Sequence, residues 1–213
     1  MTVATIGAVL GLVAWVFVFV PPREGIWVRN RAVTAVLIGY SVVVLSWTGD
    51  LGHALGRPGG GSIAIGLGVG VVWLAVTQVG HRLLARLVPS IVARAGDLYR
   101  IAAGDRCRDV VVAVLTMGVA EELLFRGVVQ FHWGLVGGVA VYAGVQLVAR
   151  NWALVLAGLL CGAVFGVVYE WSGDIVAPIL THLVWTGGLA FVWPLTDATG
   201  ARIPEADEVA LTA

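Results

Sequence analysis

The stretch VVVAVLTMGVAEELLFRGVVQFHW, residues 110–133, decides how this chain is read. It is long and apolar enough to cross a bilayer as a helix, which takes roughly 20 residues over about 30 Å of hydrocarbon. Yet Glu121, Glu122 and Arg126 fall inside it, within six residues of one another. A charge at the centre of such a helix costs about 2.5 to 3.5 kcal/mol on insertion scales, so intramembrane charges face a bundle interior and mark function.

The rest of the chain has the same character. Of its 213 residues 59% are hydrophobic and 12% charged, and the mean hydropathy is +0.95, outside the range of soluble globular domains. The fold class expected is all-α, a polytopic transmembrane helical bundle of about seven spans, near 3–20, 32–48, 62–80, 110–131, 135–149, 152–169 and 175–194. Long apolar runs have the wrong period for a barrel. The first run lacks a positive leader and a small-residue cleavage site before Pro21-Pro22, so it reads as a retained span. Residues 1–195 are expected to form one transmembrane domain, and 196–213 a polar, disordered cytoplasmic tail.

Net charge is zero and all thirteen basic residues are arginine, so no basic field points to nucleic acid as a partner. The lipid bilayer is the partner that composition implies. Arginines follow the first, third and fifth expected spans and recur at Arg202, which predicts an outside N-terminus and a cytoplasmic C-terminus in a multi-pass protein of the cell membrane. Trp27, Trp47, Trp133, Trp152, Trp171 and Trp193 mark the membrane interfaces. The glycines of GLGVG (66–70) and AGLLCGAVFG (157–166) predict closely packed helices. Between the third and fourth spans, Leu84, Leu87, Val88 and Ile91 recur beside Arg82, Arg86 and Arg94, the pattern of an interfacial amphipathic helix or of an ordinary positive loop. Cys107 falls in that loop and Cys161 in mid-membrane, so no disulfide between them is expected.

On a helix Glu122 and Arg126 stand one turn apart, in the favoured order, and can neutralise each other. Glu121 is rotated by about 100° from Glu122 and is left as the unpaired carboxylate, a candidate general base. His182 lies in APILTHLVWTGG of the last span with Thr186 one turn on. A histidine near the free Glu121 supplies a donor for a developing oxyanion. Against this stands the bland reading, in which the pair pins helix packing and Glu121 and His182 bind neighbouring polar groups. Metal ligation, by zinc for example, is open to Glu121, Glu122 and His182, although their spacing matches no compact zinc motif.

EELLFRG, followed about 55 residues later by GAVFGVVYEWSGDIVAPILTHLVW, resembles the CPBP family of CAAX-protease and bacteriocin-processing intramembrane endopeptidases, over roughly residues 105 to 195. The family carries two further motifs, F-x-x-x-H and H-x-x-x-N/D. The first falls by position on YAGVQ, which makes Tyr142 the aromatic and Gln146 the replacement for His; FGVVY, Phe165 to Tyr169, is the other candidate. The second falls on HLVWT, keeping His182 and placing Thr186 where the family has Asn or Asp. The resemblance implies that Glu121 activates water, Glu122 with Arg126 holds the site, and His182 with Thr186 stabilises the oxyanion.

The expected activity is hydrolysis of a peptide bond in a membrane-associated peptide or protein substrate. The alternative is a catalytically reduced relative serving immunity or binding and regulating a membrane protein, since Gln146 cannot take a proton at neutral pH. A small proton-coupled carrier using Glu121 and His182 as a relay is a third reading, opposed by the lack of repeat symmetry. The span map also carries a conflict: Glu121 lies near mid-membrane, whereas Gln146 lies near the cytoplasmic end. Either the fifth span runs past Arg150, or its helix is tilted or broken, or Gln146 lies outside the site.

Overall fold

The computed structural model describes residues 2–22, 24–88 and 107–195. All regular structure among them is helical. The elements are α1 (Val3–Phe19), α2 (Ile26–Thr48), a short α3 (Leu51–Leu55), α4 (Gly60–Leu87), α5 (Cys107–Glu122), α6 (Phe131–Val145), α7 (Trp152–Ser172) and α8 (Val176–Gly187). Between α5 and α6 the chain stays helical but widens into π turns over Leu123–Gln130, and α8 continues the same way over Gly188–Val192. Three helices, α2, α4 and α7, are each long and apolar enough to cross a membrane; α1 and the combined α8 segment are shorter apolar helices. This is a membrane protein.

Several boundaries depart from the expected spans. α2 begins at Ile26, six residues early, and takes Arg29 and Arg31 into its first turns. That is tolerated because both side chains leave the apolar surface: Arg29 reaches back to the carbonyls of Glu24 (2.7 Å) and Pro22 (2.6 Å), and Arg31 pairs with Asp109 at 3.0 Å. α4 runs on to Leu87, so Arg82 and Arg86 belong to the end of the third membrane helix and not to a separate interfacial one. Arg82 there lies over the Trp193 ring, 5.7 Å from its centroid. The remainder of that expected amphipathic helix, including Ile91 and Arg94, and the 196–213 tail lie outside the described residues.

α6 is broken at both ends. Gly134 adopts φ 70°, ψ 178°, a conformation costly for any residue with a Cβ, and the helix tightens to a 3-10 turn over Gln146–Ala149 before Arg150 stops it in the left-handed region at φ 51°. The fifth span is therefore short and interrupted.

Cross-contacts fix the directions. α2 and α5 run together, with Arg31 beside Asp109 and Thr34 Oγ1 on Met117 Sδ at 3.7 Å, while α1 runs against them, Tyr40 of α2 donating to the Val3 carbonyl at 2.6 Å. α4 and α8 are parallel and nearly touch: a methyl on Gly66 would stand 2.7 Å from Ala177 O, and one on Gly70 2.7 Å from Val184 Cβ. Along α7 the row Gly158, Gly162 and Gly166 admits Gln146, Tyr142 and Gln130 in turn. Both glycine runs thus do what their composition predicts. At the start of α4, Asp174 Oδ1 caps α8 through the amides of Val176 (2.8 Å) and Ala177 (3.1 Å), and its Oδ2 accepts from Ser62 Oγ at 2.5 Å.

The resulting body has its polarity reversed relative to a soluble protein. Valines, leucines and phenylalanines of every long helix face outward, with Trp47, Trp133, Trp152, Trp171 and Trp193 exposed near helix ends. Glu121, Glu122, Arg126, Gln130, Gln146 and His182 are buried around a core of Trp15, Leu37, Phe125, Tyr142 and Phe165.

Candidate active site

The site is built where the last turn of α5 meets α6, α7 and α8. Glu121 and Glu122 close the α-helical part of their segment, and the π turns that follow carry Arg126. An inserted wide turn of this kind commonly sits at a functional site. Glu122 Oε2 is 3.1 Å from Arg126 Nε, and both side chains are fully buried. Arg126 also donates from one terminal nitrogen to Gly162 O at 3.3 Å. Its guanidinium lies over the Tyr142 ring at 4.6 Å and faces Phe165 at 5.7 Å. Neutralisation by a carboxylate, one carbonyl and two aromatic faces is what makes a buried arginine tenable.

The other oxygen of Glu122 binds His182. Nδ1 is 2.8 Å from Oε1, and the imidazole stacks on Phe165 with ring centroids 4.8 Å apart. A carboxylate ion-paired to arginine can only accept, so Nδ1 carries the proton of this bond and Nε2 is the nitrogen left for other partners. Gly118, one turn before Glu122, makes room for this approach: a methyl there would meet Leu183 at 3.0 Å and the His182 ring at 3.7 Å.

Two details go beyond the expectation. The hydrogen bond of His182 is to Glu122, because α8 lies on the Glu122 face of α5. Glu121, which does not share Arg126, has a hydroxyl partner instead: its Oε2 accepts from the Tyr142 hydroxyl at 2.7 Å. Glu121 remains within electrostatic reach of His182, Glu122 and Arg126, so the four groups form one cluster. The residual exposure falls on Glu121 (9%) and His182 (6%), while Glu122 and Arg126 have none.

Gln146 is buried one turn from Tyr142, but its carbonyl oxygen accepts from Trp15 Nε1 of α1 at 3.1 Å. That partner draws it to the arginine-rich end of α6 and leaves Tyr142 as the residue of YAGVQ that meets Glu121. Thr186 lies on α8 one turn after His182, with its Oγ1 buried and holding no hydrogen bond. Phe165, the aromatic of the alternative FGVVY placement, forms the wall behind His182.

The contribution of the Tyr142 hydroxyl was missed in the sequence, as were those of Phe165 and Gly162 O. Tyr142 and Phe165 each left a signal there, as the aromatic of a candidate motif placement, and Tyr142 also as a phenol with a polar tip in an apolar helix; a backbone carbonyl leaves none. For a metal, the described residues present no group of three His, Cys, Asp or Glu side chains able to hold one. The oxygens of Glu122 are committed to Arg126 and His182, and Glu121 shares one oxygen with Tyr142. The donor set fits a hydrogen-bonded cluster better than a metal centre.

Comparison with known proteins agrees with the region. Residues 105–188 match the family model described as type II CAAX prenyl endopeptidase Rce1-like, and the expected kinship with the CPBP and CAAX proteases holds over that segment, less than half of the chain. The chain is similar to the uncharacterized protein YpbD of Bacillus subtilis (strain 168), 30% identical over 76 residues, which are 35% of this chain and 40% of that relative. No solved structure matches the chain at a significant level.

Proposed function

Taking the CAAX-protease-type core of residues 105–188 as premise, we propose that the chain is an intramembrane endopeptidase that hydrolyses a peptide bond in a membrane-associated substrate. The observation that carries the proposal is one buried cluster in which Glu121, held by the Tyr142 hydroxyl, stands beside a histidine oriented through Glu122 and Arg126. Water gives its proton to Glu121 Oε1 while its oxygen adds to the scissile carbonyl carbon. The developing oxyanion accepts from His182 Nε2–H, and the uncommitted Thr186 hydroxyl is the second donor. Collapse of the tetrahedral intermediate breaks the C–N bond, and the leaving amine takes the proton back from Glu121.

Charge balance allows this division of labour. With Glu122 ionised, Arg126 cationic and one proton held between Glu121 and His182, the cluster sums to zero wherever that proton sits, as a low dielectric demands. One proton thus serves either Glu121 or His182. In the form with base and donor both ready, it sits on the histidine.

We place the arginine-rich end, where Arg29, Arg31, Arg82 and Arg150 gather, on the cytoplasmic side. The substrate class follows from the membrane setting alone, and a prenylated protein is one candidate within it. The purified protein in proteoliposomes, offered membrane-anchored peptides with and without a prenyl group, should release a discrete pair of fragments by mass spectrometry. Intact peptides throughout would favour the alternative, a bundle that keeps the Glu122 and Arg126 framework to bind or regulate a membrane partner. A flux driven by a pH gradient in the same vesicles would favour a carrier.

A further inference from the structure

The catalytic scheme gives Tyr142 no task, yet its side chain meets both Glu121 and Arg126. Its hydroxyl donates to Glu121 Oε2 at 2.7 Å, and its ring lies under the Arg126 guanidinium at 4.6 Å. It is itself held, 4% exposed, by Phe125 edge-on at 4.9 Å and by Gly162, whose missing Cβ would stand 3.3 Å from the ring. A glutamate has a broad terminal torsion, so an unheld carboxylate presents either oxygen in many directions. A hydroxyl bonded to a carboxylate is charge-assisted and short, and it removes that freedom.

We propose that Tyr142 is the positioning residue of this site. Its hydroxyl fixes Glu121 by Oε2 so that Oε1 alone meets water, and its ring ties that carboxylate to the chain from Arg126 through Glu122 to His182. The inference rests on the reading of Glu121 as the base. The geometry also explains how Gln146, one turn further on, is free to serve Trp15: the orientation of Glu121 is already supplied by the phenol.

Tyr142→Phe keeps the ring and the contact with Arg126 and removes only the hydroxyl. The expected result is a fall in kcat of about tenfold or more with KM changed by less than about twofold, the signature of an interaction that matters in the transition state. In a Glu121→Gln background the same substitution should cause no further loss. Wild-type kcat for Tyr142→Phe, with Glu121→Gln inactive, overturns this inference alone. Activity retained in Glu121→Gln overturns the reading beneath it. Should Tyr142→Phe fail to insert, fluorotyrosine at 142 preserves ring and hydroxyl while strengthening donation. It must then change kcat by more than about twofold at constant KM, and an unchanged kcat overturns the proposal.

Discussion

Glu122 divides its two oxygens between Arg126 and His182: Oε2 lies 3.1 Å from Arg126 Nε and Oε1 lies 2.8 Å from His182 Nδ1. Helix α5 and helix α8 are joined at this one carboxylate, with Arg126 and His182 both buried behind it. Removing its charge strands a guanidinium in the core. Glu122→Gln should cost about 3 to 5 kcal/mol of stability, the range for a broken buried pair, read as loss of the folded fraction in denaturant titration in bicelles. Unchanged stability would mean that Arg126 and His182 find other partners.

Packing of α4 on α8 makes a second prediction independent of chemistry. Gly70 approaches Val184 so closely that a Cβ would overlap it, and the neighbour is a β-branched side chain on a packed helix. Gly70→Leu should destabilise the protein by about 1 to 3 kcal/mol. It should also lower activity, because α8 carries His182 and Thr186. Gly68, with nothing within 4 Å of an added Cβ, is the control on the same helix, and Gly68→Ala should leave both unchanged.

Asp174 is 1% exposed and accepts from Val176 N, Ala177 N and Ser62 Oγ. Asp174→Ala leaves the start of α8 uncapped and the Ser62 hydroxyl without its acceptor. A loss of about 2 kcal/mol is expected from the cap alone. Asp174→Asn, which keeps one acceptor oxygen, should recover a measurable part of it in the same denaturation assay.

Gln146 tests the choice between an active and a reduced enzyme. Its oxygen is committed to Trp15, so Gln146→Ala leaves a buried indole N–H unpaired and should cost about 1 to 3 kcal/mol of stability. Its effect on kcat should stay below about threefold. Gln146→His should not raise activity. A protein inactive as it stands and activated by that substitution would support the reduced-enzyme reading instead.

Much of this arrangement was legible in the sequence because a membrane makes charges conspicuous. Glu122 and Arg126 could be paired from i, i+4 spacing alone, and the glycine runs 66–70 and 158–166 announced the close contacts found at Ala177, Val184, Tyr142 and Gln130. Which face of α5 meets α8 could not be read, since spacing within a helix says nothing of the helix packed against it. That is why the bond from His182 to Glu122 has no sign in the sequence. The interruption at Gly134 was hidden for a different reason: one glycine among 29 carries no mark of its φ. The phenol of Tyr142 was visible as a motif position but not as a donor, because its acceptor lies 21 residues away on another helix.

The central claim is that Glu121 is the base that activates water. The measurement that tests it most directly is kcat of Glu121→Gln in proteoliposomes, with the variant inserted and folded. The amide keeps the size of the side chain and can still accept from Tyr142, but cannot take a proton from water. A fall of at least about a thousandfold, within the range assigned to general base catalysis, is the result predicted. Cleavage at the wild-type rate would contradict it.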